Sequence, residues 1–166
     1  SYGKIYIVDA NAGNKVGIRT YYGTHTFTGG EIIVDGSHTS MYSVYGISGN
    51  YGTMDISNLK VDVHINAGYA YGLDGSYVTR NISNIDLSAV TETVDAYRYG
   101  VGINYGTNNI TGGRIYGSQY GIRDATNTLG INDENISITQ PEIVGGLYGI
   151  YTGNTNFYDG VLKGGT

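Results

Sequence analysis

The sequence predicts an all-β fold, a right-handed parallel β-helix (a solenoid) of about six coils. Three observations carry that expectation. An aromatic, Gly, aliphatic tripeptide recurs along the chain, columns of tyrosine and threonine follow it at fixed offsets, and a Gly or Asn comes next where a strand has to turn.

The tripeptide reads Tyr45-Gly46-Ile47, Tyr71-Gly72-Leu73, Tyr99-Gly100-Val101, Tyr120-Gly121-Ile122 and Tyr148-Gly149-Ile150, with Val16-Gly17-Ile18 as a weaker first copy. The glycines at 17, 46, 72, 100, 121 and 149 are spaced by 29, 26, 28, 21 and 28 residues. Such scatter suits a solenoid with variable loops. Five residues after the first four glycines stand Tyr22, Tyr51, Tyr77 and Tyr105, and two later Thr24, Thr53, Thr79 and Thr107. Stacked in successive rungs, these tyrosines would form a structural ladder.

An apolar column follows (Phe27, Ile56, Ile82, Ile110), then Gly29, Asn58, Asn84 and Gly112, then Ile32, Val61, Leu87 and Ile115. Gly and Asn enter the left-handed region most readily, so this column is expected to be the corner of each coil. The last two coils are expected to repeat it as Ile138-Thr139-Gln140-Pro141-Glu142-Ile143 and Phe157-Tyr158-Asp159-Gly160-Val161-Leu162. Short strands of about three to five residues alternate apolar and polar, as in Ile32 and Val34 or Val61 and Val63. One domain, 1–166, is expected, with 1–15 as an N-terminal edge strand or partial coil and 16–166 as the repeats.

Composition narrows the partners. Charged residues are 14% of the chain and the net charge is −5, with 9 Lys and Arg scattered singly. No basic stripe is available for nucleic acid or anionic lipid, and no apolar run is long enough for membrane insertion. With no Cys there is no disulfide framework and no thiolate metal site. His25, His38 and His64 fall in different columns and no pair of them shows ligand spacing with an acid partner, so neither a metal nor another cofactor is expected. Ser1 opens the chain without Met or a signal peptide, and both termini resemble interior coils. The chain therefore reads as an excerpt of a longer solenoid, or as a subunit that adds copies of itself end to end.

On these columns the chain resembles, from 16 to 166, the right-handed parallel β-helix superfamily, the pectate-lyase-like solenoids. Within it the likeness is to Gly- and Tyr-rich repeats of bacterial surface proteins and phage tail proteins. The resemblance implies that Asn58 and Asn84 are two rungs of an asparagine ladder, interrupted by Gly29 and Gly112. It also supplies an enzymatic alternative, since that superfamily includes polysaccharide lyases and glycoside hydrolases. Their clustered acids with a basic partner have no matching motif here, so the chain is not expected to be an enzyme.

Function on a rigid scaffold concentrates on loops. Three longer ones are expected, from Asp35 to Val44, Val63 to Ala70 and Ser88 to Arg98. They carry Asp35, His38, Tyr42, His64, Tyr69, Glu92, Asp95, Tyr97 and Arg98, and carboxylates beside aromatics suit glycans. The expected function is a non-catalytic extracellular or cell-surface module, a stalk, adhesin or fibre segment. Its expected partners are glycans, copies of itself or adjoining coils.

Overall fold

A computed structural model describes residues 3–9, 13–36, 42–66, 68–92, 98–102, 105–123, 126–130 and 140–165. Seventeen strands and no helix occur among them, and every described pairing is parallel. The fold is a parallel β-solenoid.

Numbered along the chain, one sheet stacks β1 (Lys4–Asp9), β4 (Glu31–Gly36), β6 (Lys60–Ile65), β8 (Ile85–Thr91), β11 (Gly113–Gly117), β14 (Glu142–Gly145) and β17 (Val161–Lys163), in that order. The second sheet has two halves. One stacks the Tyr-Gly segments, in β2 (Lys15–Tyr21), β5 (Tyr42–Ser57), β7 (Gly68–Ser83), β9 (Arg98–Gly102), β12 (Tyr120–Arg123) and β15 (Tyr148–Tyr151). The other stacks the threonine segments, in β3 (Thr24–Thr28), the later parts of β5 and β7, β10 (Thr107–Ile110), β13 (Thr126–Leu129) and β16 (Asn154–Phe157).

The expected columns are the observed registers. Ile32, Val61, Leu87, Ile115 and Ile143 follow one another up the first sheet, and Ile56, Ile82, Ile110 and Leu129 up the second. All nine are buried and form the core with Ile47, Leu73, Val101 and Ile122. Each rung thus seals the one below it with branched aliphatic side chains, the arrangement that removes most apolar surface per residue in so thin a rod.

Several expectations need correction. β5 and β7 are sixteen residues long, because the tyrosine corner bends the chain without breaking its pairing. The left-handed residues include Tyr22, Tyr51, Tyr77 and Tyr105 (φ 52–56°) as well as Gly29, Asn58 and Asn84. In the fourth coil the left-handed glycine is Gly113, with φ 85°, and not Gly112. In the fifth coil Leu129 takes the place expected for Ile138, opposite Ile110, whereas Gln140 keeps the expected corner level two residues before Glu142, which pairs with Arg114. Ile138 and Thr139 themselves lie outside the described residues. The loop expected from Val63 to Ala70 shrinks to 66–67, since β6 runs to Ile65 and β7 starts at Gly68. Ser88 to Thr91 likewise belongs to β8, with Ala89 and Thr91 buried.

Candidate functional site

Three of the loop-side candidates meet. Asp35 lies near the end of β4, His64 sits beside it on β6, and Glu92 follows β8, so the rungs place one imidazole between two carboxylates. His64 Nδ1 is 3.5 Å from Asp35 Oδ1, and Nε2 is 3.2 Å from Glu92 Oε1. Only a doubly protonated ring donates from both nitrogens. Sequence spacing gave no sign of this contact, because residues 29 and 28 positions apart in sequence become neighbours one rung apart. His64 and Asp35 each leave 42% of the side chain exposed, and Glu92 67%. This is an open, solvent-exposed clasp. Among the described residues no group of three His, Cys, Asp or Glu is arranged to hold a metal ion.

Tyr42 and Tyr69 lie on β5 and β7, one residue out of register, and Tyr69 stacks on Tyr71 at 6.4 Å. Arg98 opens β9, and nothing is described of its side chain. His38, Asp95 and Tyr97 lie outside the described residues.

The structural ladders form as expected. Tyr22, Tyr51, Tyr77 and Tyr105 stack with centroids 5.2, 5.3 and 5.1 Å apart and planes within 13°. Their ring faces are spent on each other, so the row presents edges and hydroxyls to solvent. Those are poor groups for stacking on sugars. A second row links Tyr45, Tyr71, Tyr99, Tyr120 and Tyr148 at 4.9–5.6 Å, and the Arg123 guanidinium lies over Tyr99, Tyr120 and Tyr151. Burial raises the Tyr71 hydroxyl above its ordinary value, helped by the neighbouring phenols.

Asn84 Nδ2 donates to Asn58 Oδ1 at 2.8 Å, the two rungs of the asparagine ladder. A second amide ladder runs on the outer face, where Asn81 donates to Asp55 at 2.7 Å and Asn109 to Asn81 at 2.9 Å. It floors a shallow groove of about 310 Å³ edged by Thr26, Ser57, Ser83 and Thr111. This strip is the best candidate glycan face: its amides are held in place, and sugar hydroxyls can both donate and accept.

Two features escaped the sequence reading. Arg80 is fully buried, donating to Asn108 Oδ1 at 3.3 Å and to Gly102 O at 3.4 Å, while Asn108 donates to Asn127 at 3.1 Å. Burial pushes Arg80 down to about 10 against the pull of Asp74, and burial raises the Asp74 carboxyl although Arg80 opposes it. Strand alternation was the available signal, since Arg80 shares the inward face with Val78 and Ile82. The second feature is a charge ladder, with Glu31 between Lys4 (3.0 Å) and Lys60 (2.8 Å), and Glu142 between Arg114 (3.4 Å) and Lys163. Its signal was the sign alternation two residues after each Gly or Asn of the corner column: Glu31, Lys60, Asp86, Arg114.

No family model, curated protein or solved structure matches this chain.

Proposed function

We propose that the chain is a non-catalytic structural or adhesive module of an extracellular or cell-surface protein, a stalk, adhesin or fibre segment that presents a glycan-binding face. One observation carries this reading. The aromatic and ionisable side chains that could serve chemistry are paired along the rod axis, rung on rung, in the tyrosine rows, the charge ladder and the clasp of His64. Such pairing suits a stiff rod. A sparsely charged, hydroxyl- and amide-rich surface suits display outside the cell. The resemblance to Gly- and Tyr-rich repeats of bacterial surface and phage tail proteins points the same way. Among the described residues β1 and β17 are the outer strands of the first sheet, and their unpaired backbone edges suit strand addition by an adjoining coil or a second copy.

The purified chain is expected to release no new reducing ends from a panel of neutral and acidic polysaccharides, and to bind neutral glycans on an array. Reproducible cleavage, abolished by Glu92→Gln, would instead establish the alternative, a polysaccharide lyase or glycoside hydrolase. The observation favouring that alternative is the pair of carboxylates flanking His64.

A further inference from the structure

The outward positions of the first sheet carry a pattern whose order goes beyond the pairing of neighbours within the chain. At the first outward position of successive strands stand Lys4, Glu31, Lys60, Asp86, Arg114 and Glu142, in register from β1 to β14. The signs alternate through these six strands, and Val161 on β17 ends the row. At the next outward position stand Tyr6, Ile33, Asp62, Ser88, Tyr116 and Val144: two apolar residues, two polar, two apolar. Every member of both rows is exposed or partly exposed.

An even number of alternating charges is complementary to its own reversed copy. With one rod reversed, Lys4 faces the second copy's Glu142, Glu31 faces its Arg114 and Lys60 faces its Asp86. A two-fold axis lying in the interface and parallel to the strands produces this arrangement, and it keeps each row opposite the same row of the other copy. The second row then sets Tyr6 on Val144, Ile33 on Tyr116 and Asp62 on Ser88, so its polarity matches as well. A two-fold axis along the rod would set like charges at the same level.

We propose that this face is the interface of an antiparallel two-fold dimer of the chain, with the two Lys60–Asp86 pairs beside the axis. Shape is consistent with charge. The ladder residues line two open concavities, one of about 550 Å³ beside Lys60, Asp86, Arg114 and Glu142 and one of about 810 Å³ beside Lys4, Glu31 and Lys60, so the face is not flat where a second copy would meet it. Within each copy the ladder charges already have neighbours of opposite sign, so association buries no lone charge. Exposed pairs are individually weak, and the dimer draws its specificity from their number and order.

Sedimentation velocity across a concentration series tests this with the full chain. Dimers are expected at about 0.1 M salt and monomers at about 1 M, as the screening length falls from about 10 to about 3 Å. Lys60→Glu and Asp86→Lys are each expected to sediment as monomers. An equimolar mixture should restore the dimer, because each altered position then faces the other and the native Lys60 of one variant still faces the native Asp86 of the other. A role confined to one chain would not be rescued by mixing. Should a variant fail to fold by circular dichroism, a carbodiimide cross-link between Lys60 of an isotope-labelled wild-type copy and Asp86 of an unlabelled one reads the same contact. A wild-type chain monomeric at every concentration and salt, association that both variants leave intact, or absence of that cross-link would overturn the proposal.

Discussion

Tyr51 offers the sharpest test of how the corners are held. Its backbone is left-handed, at φ 56°, a conformation that costs a side-chain-bearing residue about 1–2 kcal/mol. The ring recovers this by stacking on Tyr22 at 5.2 Å and on Tyr77 at 5.3 Å. Two aromatic contacts contribute about 0.5–1.5 kcal/mol each, toward the lower end here because the rings remain half exposed. Tyr51→Ala loses both contacts and keeps the backbone strain, so it should destabilise the fold by about 1–2 kcal/mol. Tyr51→Gly loses the same contacts but relieves the strain, so it should be the milder change by about 0.5–1 kcal/mol. Tyr22→Ala, with only one ladder neighbour, should cost about half as much as Tyr51→Ala. Urea unfolding of the three variants, followed by far-ultraviolet circular dichroism, measures these differences. An alanine variant as stable as the glycine one would refute the claim that stacking offsets backbone strain at this corner.

Glycines separate strain from crowding: Gly23 has φ 81° with open space where a β-carbon would stand, whereas at Gly113 that carbon would lie 2.1 Å from the Ile85 carbonyl oxygen. Gly23→Ala should cost about 1 kcal/mol and Gly113→Ala clearly more, read as urea midpoints. Arg80→Ala should destabilise by about 3–5 kcal/mol, because it opens a cavity and strips the cation from beside partly buried Asp74, whereas Arg80→Met fills the space and should cost less. Glu31 is held below its ordinary value of 4.5 by Lys60 and Lys4, and Glu142 by Lys163 and Arg114. Depressed carboxyls stabilise the fold above about that value, and the contribution is lost as pH falls through their folded values. The double variant Glu31→Gln, Glu142→Gln should therefore show a smaller fall in melting temperature on acidification below pH 4.5 than the wild type. The amide-floored groove gives a functional test, since Asn81→Leu and Asn109→Leu remove its amides while leaving the inward-facing Ile82 and Ile110 in place. Both should reduce glycan-array binding and His64→Ala should not; the reverse ranking would move the binding face to the clasp.

The repeat by itself determined the architecture. Tyr-Gly-aliphatic, Tyr, Thr, apolar and Gly/Asn columns at constant offsets specify which residues stack, because each rung must present the same shape to the next. The pairing of Tyr22 with Tyr51 and of Asn58 with Asn84 follows directly. Wherever an offset changed, counting along the chain failed. Leu129 replaced Ile138 opposite Ile110, since the register obeys burial of the next apolar residue and not distance along the chain. The sequence also could not show which polar residues of different columns would touch. Asp35, His64 and Glu92 lie beyond the columns that the repeat marks, and only the extension of β4, β6 and β8 past their expected ends brings them together. The charge ladder, by contrast, lies in one column, since Glu31, Lys60, Asp86 and Arg114 share one offset from the corner. Strand alternation decides inward or outward for each residue, but the partner one rung away is chosen by the parallel stacking of coils about 4.8 Å apart, which exists only once the solenoid has closed.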